Sequence, residues 1–232
     1  METVLLKKTE WISVTNSSIL YVDDDEHADF ASIQAAVDAA SPGATIIVRN
    51  GTYTENVDVD RAVTILSESG PEYTEVRAVN PKDSVFFVTA DSVNISGFSV
   101  RGASELVSPY SYPTGGIWLY EVRDCNISGN VLSNNYCGLY VTVSENCTME
   151  RNRAESNNYG IYIPHRKGIL LETTAWKTTL TTLRFQKLRQ NRILMKAIPW
   201  KANQFTISQM KATLSLIMVR MPERCTVSTV RT

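Results

Sequence analysis

The chain is poor in the side chains on which most catalytic and metal centres depend. Its 232 residues include two histidines and four cysteines, and no two cysteines form a Cys-x-x-Cys pair. A zinc-finger pattern is therefore absent, and His27 and His165 are too few for a Ser-His-Asp arrangement or a copper cluster. Gly-rich phosphate loops and an assignable carboxylate pair for glycoside hydrolysis are missing as well.

Long apolar runs are also missing, so we expect no membrane span. Residues 1–18 lack the apolar core of a secretory signal. The cysteines Cys125, Cys137, Cys147 and Cys225 are irregularly spaced and predict no disulfide framework.

The dominant positive feature is a repeat. Gly116, Gly138 and Gly160 stand 22 residues apart, and each precedes a short alternating run. Ile117, Leu139 and Ile161 share one parity within these runs and are expected to face inward. A fixed period without helical segments between the copies predicts stacked strands. We therefore expect an all-β fold, a solenoid of parallel strands with coils of about 22 residues.

Stacking of the coils predicts contacts between equivalent positions. Asn130 and Asn152 occupy one turn position, where amides of successive coils form a ladder. Cys125 and Cys147 also stack on the inward parity. They are interpreted either as buried free thiols or as a disulfide between coils.

The segment before the repeats contains the one helical pattern. Ser32–Ala40 carries apolar residues at helical spacing, Asp29 or Ser32 can cap its start, and Ser41-Pro42-Gly43 ends it. We expect this short helix to cover the open end of the solenoid. Further strands are predicted at Ala44–Val48, Asn56–Val59, Val63–Leu66, Glu75–Val79 and Val85–Val88.

These residues carry a family resemblance. Tyr21-Val22-Asp23-Asp24-Asp25, the helix, and Gly51-Thr52-Tyr53-Thr54-Glu55-Asn56-Val57 resemble the first coil of right-handed parallel β-helix proteins. The segment is most similar to NosD-type periplasmic copper-binding-protein repeats and to surface proteins of methanogenic archaea, with a looser likeness to pectin-lyase-fold enzymes. The resemblance implies the fold and an extracellular or cell-surface location. It specifies function weakly, because function resides in individual sites.

Charge divides the chain in two. Residues 165–232 hold 13 of the 23 Lys and Arg but only 2 of the 24 Asp and Glu. Read one register off with permitted codons, Ala175-Trp176-Lys177 and Pro199-Trp200-Lys201 can both encode Met-Glu, as in Met149-Glu150 of the repeat. We therefore predict a frameshift near Ile163, the alternative being a genuine basic domain. The predicted organisation is a lead (1–19), a first strand with the cap helix (20–43), the β-helix (44–163) and a basic tail without its own function (164–232).

Aromatic residues supply the candidate binding site. Trp118, Tyr140 and Tyr162 stack at coil spacing on the outward parity, and Tyr110 and Tyr112 lie in the insertion before the first glycine. They are interpreted as a carbohydrate platform, with a purely structural aromatic ladder as the alternative.

Two polar patterns have competing interpretations. Asp23, Asp24 and Asp25 can supply oxygen ligands for calcium or form a solvated turn. Five Asn-x-Ser/Thr sequons begin at Asn16, Asn50, Asn94, Asn126 and Asn146, either as glycan acceptors or as a by-product of turn-rich repeats.

The sequence as a whole favours a non-catalytic, surface-exposed repeat protein that binds carbohydrate or belongs to the cell envelope. The alternative is a polysaccharide-active enzyme, a pectate lyase-like or glycoside hydrolase-like protein, whose catalytic coils are missing from this chain. We expect a monomer with a polysaccharide partner, no nucleic-acid partner, and no cofactor unless it is calcium.

Overall fold

The structure is a computed structural model that describes residues 18–25, 28–106, 108 and 112–163, and the backbone of four short strands beyond them. Apart from one helix, α1 (Ile33–Ala39), the regular elements in these residues are strands. The strands are β1 (Ile19–Val22), β2 (Thr45–Val48), β3 (Gly51–Thr54), β4 (Val57–Val59), β5 (Thr64–Ser67), β6 (Thr74–Arg77), β7 (Phe86–Val88), β8 (Asn94–Ser96), β9 (Ser99–Arg101), β10 (Gly115–Tyr120), β11 (Asn126–Ser128), β12 (Val131–Ser133), β13 (Cys137–Thr142), β14 (Thr148–Glu150), β15 (Arg153–Glu155), β16 (Tyr159–Ile163), β17 (Leu170–Glu172), β18 (Ala175–Lys177), β19 (Arg184–Phe185) and β20 (Leu194–Lys196).

The strands form three parallel sheets. Sheet 1 has the order β1-β2-β5-β8-β11-β14-β17-β20, sheet 2 the order β3-β6-β9-β12-β15-β18, and sheet 3 the order β4-β7-β10-β13-β16-β19. After the first strand the chain visits sheets 1, 2 and 3 in turn, so each strand pairs with its equivalent in the next coil. This confirms the predicted parallel β-helix.

The core is a set of columns of like residues between the three sheets. On sheet 3, Leu139 lies beside Ile117 on one side and Ile161 on the other, and all three are fully buried. On sheet 1, Ile95 and Ile127 form an equivalent column. The inward parity read from the repeat is thus confirmed, because side chains of one parity in a strand share a face.

Coil length varies along the stack, although the register does not. Ile117 pairs with the residue 22 positions on, Leu139. In the preceding coil, Asn94 pairs with Asn126, 32 positions on. The extra residues lie in the connection between β9 and β10. Insertions therefore leave the solenoid at its corners and do not disturb the pairing of the strands.

The corners of successive coils share one backbone conformation. Glu121 and Val143 both have a left-handed φ, of 55° and 53°, at equivalent positions. Asp124 and Asn146 repeat the pattern at the next corner, with φ of 56° and 55°. Asn and Asp tolerate this region, whereas a β-branched residue such as Val143 is strained in it.

Two ladders of asparagine line the inside of two other corners. The Nδ2 group of Asn130 donates to Oδ1 of Asn152 at 3.1 Å, and Nδ2 of Asn152 donates to the Ile127 carbonyl at 2.7 Å. A second ladder, absent from the sequence interpretation, joins Asn135 and Asn157: the Asn135 backbone N–H donates to Oδ1 of Asn157 at 2.9 Å. These amides satisfy backbone groups that the corners leave unpaired inside the core.

The second ladder explains why glycine marks the repeat. A Cβ at Gly138 would lie 2.5 Å from the Gly160 carbonyl oxygen and 3.0 Å from Nδ2 of Asn157. Only glycine therefore leaves room for the amide and the neighbouring coil.

The first coil is held together by the Gly-Thr-Tyr-Thr-Glu-Asn segment. The Glu55 carboxylate accepts the N–H groups of Ile33 and Gln34 at 2.9 Å each, and Ser32 Oγ accepts that of Ala35 at 3.2 Å. These bonds satisfy N–H groups that a helix start leaves unpaired. Helix α1 buries Ile33 and packs beside β1, β2 and β4, as expected of a cap.

Beyond Ile163 the described strands extend the sheets. Leu170 lies beside Thr148, Ala175 beside Arg153, and Arg184 beside Tyr162. The remaining tail residues lie outside the described ones, so the frameshift and the domain limits stay predictions.

Candidate functional site

An aromatic ladder runs along the outer side of sheet 3, parallel to the solenoid axis. It consists of Phe87, Trp118, Tyr140 and Tyr162, one from each of β7, β10, β13 and β16. Ring centroids are 4.6 Å apart for the first pair, 5.1 Å for the second and 5.3 Å for the third. The planes of the last pair are 7° from parallel. Aromatic pairs at such distances stabilise neighbouring coils by about 0.5–1.5 kcal/mol per pair beyond the area buried.

Further tyrosines widen the ladder on both sides. Tyr120 meets Trp118 edge to face at 5.7 Å, and Tyr112 meets it at 6.0 Å. Tyr159 stacks on Tyr162 at 5.5 Å. The structure thus brings together four of the five predicted platform residues, whereas Tyr110 lies outside the described residues.

Exposure differs sharply among these rings. Tyr140 is 2 % exposed, whereas Tyr112 is 64 % exposed. Because Trp118 and Tyr162 cover the two faces of the Tyr140 ring, this residue spaces and supports its neighbours instead of offering a face. Its burial, together with the nearby Tyr162, raises the pKa of the Tyr140 hydroxyl. The accessible surface is therefore supplied by Tyr112 and by the open parts of Trp118 and Tyr162.

The polar atoms of the ladder are partly occupied. Nε1–H of Trp118 donates to Thr142 Oγ1 at 2.9 Å, which fixes the orientation of the indole. The Glu121 carboxylate next to the Tyr120 hydroxyl raises the pKa of Tyr120. Glu121 is thereby placed at the margin of the aromatic surface.

One end of the ladder is acidic. Asp58 pairs with Phe87 in the register of β4 and β7, so the carboxylate continues the line of rings. Partial burial and then the neighbouring Asp83, Asp60 and Asp38 raise the pKa of Asp58. Sequence reasoning missed both Phe87 and Asp58, because the insertion breaks the 22-residue spacing that revealed the later rings.

The acidic run near the N-terminus has structural partners. Asp23 accepts from Nη1 of Arg49 at 3.0 Å, and Asp24 accepts the Thr52 N–H at 2.9 Å while packing against Gly51. Asp23 and Asp25 line a cavity of about 250 Å³ with Arg49, Asn50 and Glu68. The three aspartates are near one another, but no three His, Cys, Asp or Glu side chains of the described residues converge on a metal position. Calcium binding here stays a prediction.

The stacked thiols are free and buried. Cys125 and Cys147 are 1 % and 0 % exposed, and Sγ of each lies beside backbone carbonyls, 3.5 Å from Arg123 O and 3.3 Å from Glu145 O. The neighbouring Cys147 thiol, together with burial, raises the pKa of the Cys125 thiol. Of the two alternatives for this pair, buried free thiols or a disulfide, the structure contains the free thiols.

Comparison with known proteins relates the chain to one family. Residues 37–207 match the family model described as periplasmic copper-binding protein (NosD). A cell surface glycoprotein of Methanothermus fervidus is 31% identical over 107 residues, which are 45% of this chain and 16% of that protein. The chain therefore spans about a sixth of the length of this relative.

Solved structures share the fold at low sequence identity. A pectin methylesterase from Erwinia chrysanthemi superposes with a TM-score of 0.57 at 12% identity, covering 82% of this chain and 68% of that chain. An alginate lyase from a Paenibacillus species gives a TM-score of 0.54 at 14% identity, covering 70% and 61%. At these identities the likeness shows the parallel β-helix alone.

The described residues do not fit the metal in the family's description. Copper is held by clustered His, Cys or Met side chains. Cys125, Cys147 and Met149 are buried in the apolar interior, and no His, Cys, Asp and Glu group of three forms within the described ranges. His27 and His165 lie outside those ranges. We therefore derive no chemistry from copper. In the described part of the chain, no helix has the length and apolarity needed to cross a membrane.

Proposed function

Because the chain belongs to the NosD family of parallel β-helix proteins, we propose that it is a non-catalytic, surface-exposed repeat protein that binds polysaccharide. The observation that carries this proposal is the aromatic ladder with its exposed flank, Tyr112 beside Trp118. Flat aromatic surfaces with a polar edge suit sugars, whose rings have apolar faces and hydroxyl rims. The family itself leaves the function open, since one fold serves many functions.

The course of the ladder favours a chain-like ligand. Trp118 and Tyr162, the partly open rings of the ladder, lie two coils apart along the solenoid axis, so a linear polysaccharide lying along this axis would meet both. Tyr112 and the open part of Trp118 would contact sugar faces, while tyrosine hydroxyls and Glu121 would bond sugar hydroxyls. The acidic end at Asp58 disfavours an anionic segment there.

The named relatives are consistent with this proposal. One is a cell surface glycoprotein, and two structural neighbours bear the names of enzymes for the polysaccharides pectin and alginate. We infer a location at the cell surface or in the envelope from the first.

Affinity electrophoresis through gels that contain neutral or acidic polysaccharides tests the proposal, followed by calorimetry on any ligand that retards the chain. Trp118→Ala and Tyr112→Ala should each weaken binding about tenfold, the equivalent of about 1.4 kcal/mol. The matched control is Tyr73→Ala, which removes a tyrosine that is 61% exposed and contacts no other aromatic ring of the described residues.

Two results would contradict the proposal. The first is binding that the Tyr73 variant loses as strongly as the Trp118 and Tyr112 variants. The second is turnover of a polyuronate, with or without Ca²⁺, which would establish the enzyme alternative. Circular dichroism of each variant separates lost binding from lost folding, and Tyr112→Ala is the safer of the two because its ring is mostly exposed.

A further inference from the structure

The sequons occupy very different places in the solenoid. An N-linked glycan is attached to Nδ2 of the asparagine in Asn-x-Ser/Thr, and it must project from the folded surface. Four sequons begin within the described residues, at Asn50, Asn94, Asn126 and Asn146. Asn16 lies outside them.

Two of the four are built into sheet 1. Asn94 and Asn126 lie side by side in β8 and β11, and both are half-buried. Nδ2 of Asn94 donates to Thr64 Oγ1 at 3.1 Å, and Oδ1 of Asn126 is shielded from solvent. A sugar on either side chain would have to displace its neighbours in the adjacent coils.

Asn146 is placed differently. It stands at the exposed corner between β13 and β14 with a left-handed φ of 55°, and its side chain forms no hydrogen bond with the described residues. Thr148, the hydroxyl residue of the sequon, begins β14 and is half-buried on sheet 1. The corners of the two preceding coils carry Asp124 and Ser92 at the equivalent position, so this corner sequon belongs to one coil.

Asn50 is also exposed, but its side chain takes part in a hydrogen bond. Its Oδ1 accepts the Ser69 hydroxyl at 2.6 Å, and it lines the acidic cavity with Asp23 and Glu68. Asn146 is therefore the acceptor that combines exposure with an unengaged amide.

We propose that Asn146 is an N-glycosylation site of the folded protein, a modification independent of the proposed polysaccharide binding. The sugar donor is a polyprenyl-phosphate-linked oligosaccharide. Nδ2 of Asn146 forms a bond to the anomeric carbon of the sugar, and the bond from that carbon to the phosphate oxygen breaks. The lipid phosphate leaves with the electron pair, and the amide proton passes to a base of the transferase.

The test uses the folded full-length chain, a lipid-linked oligosaccharide and oligosaccharyltransferase membranes, with the modified sites mapped by mass spectrometry. Short synthetic peptides around Asn94, Asn126 and Asn146 serve as unfolded acceptors and should all be modified. In the folded chain, occupancy at Asn146 should exceed that at Asn94 and Asn126 by roughly tenfold or more, because the strand residues must first open locally.

Variants at the sequon distinguish acceptor chemistry from misfolding. Asn146→Gln and Thr148→Ala should each abolish modification at this corner, whereas Thr148→Ser should retain it. The proposal is overturned if the folded chain stays unmodified at Asn146 while its peptide is a good acceptor. Equal occupancy at Asn94, Asn126 and Asn146 in the folded chain would overturn it as well.

Discussion

Replacing Asn130 by alanine should weaken the solenoid far more than an ordinary polar substitution. The side chain is fully buried, and its Oδ1 accepts the Phe98 N–H at 3.0 Å while its Nδ2 donates to the Ile95 carbonyl at 3.1 Å. Alanine leaves the Phe98 N–H buried without a partner and removes the side-chain hydrogen bond to the Ile95 carbonyl, which keeps its place in the ladder between β8 and β11. At about 1–3 kcal/mol for the unpaired group and about 0.5–1.5 kcal/mol for the lost bond, the expected loss is about 1.5–4.5 kcal/mol. This is a large share of the roughly 5–15 kcal/mol that stabilises a typical domain.

Two measurements check this expectation. Urea unfolding followed by circular dichroism gives the change in the free energy of unfolding, and hydrogen exchange reports the Phe98 amide directly. Because repeat proteins are stabilised by contacts between neighbouring coils, the exchange should accelerate most around this coil. The matched control is Asn158→Ala, whose exposed side chain forms no hydrogen bond in the described structure. Its effect should stay within about 0.5 kcal/mol.

A loss of unfolding free energy below about 1 kcal/mol in the Asn130→Ala variant refutes the reasoning, because it would match a side chain that forms no buried hydrogen bond. So does a Phe98 amide that exchanges as slowly as in the original chain, because its acceptor would then not be Asn130.

Three further perturbations test other parts of the structure. Gly138→Ala should destabilise the stack by more than about 1 kcal/mol in urea unfolding, since its Cβ would press on Asn157 and the next coil; an unchanged midpoint would contradict the close contact. Val143→Gly should stabilise by about 1 kcal/mol, because it relieves a left-handed β-branched residue on an exposed corner; thermal melting should show this as a higher Tm. Burial raises the pKa of the Cys137 thiol, so maleimide at pH 8 should leave this residue unlabelled until urea is added, as peptide mapping will show.

The sequence predicted those features that depend on parity and period. Ile117, Leu139 and Ile161 were placed in one column because strand side chains alternate and the coils repeat. The cap helix was recognisable from its spacing and from Ser32. Glu55, whose carboxylate accepts two N–H groups at the helix start, was not recognisable, because these bonds join residues 22 and 21 positions apart that only folding brings together.

The candidate site was only partly predictable, because it too depends on contacts between residues that are distant in the sequence. The 22-residue period revealed Trp118, Tyr140 and Tyr162, but the longer coil before them hid Phe87. Outward parity also suggested that Tyr140 is accessible. Its burial arises from rings in the two neighbouring coils, and no local pattern encodes such three-coil packing.

The connection between β9 and β10 lengthens one coil, yet Phe86 still pairs with Ile117 across it. The strand pairing between these coils is thus maintained across the longer connection. Such a corner is a natural attachment point on a display scaffold: a foreign epitope spliced there would protrude while the columns beneath it keep their alignment.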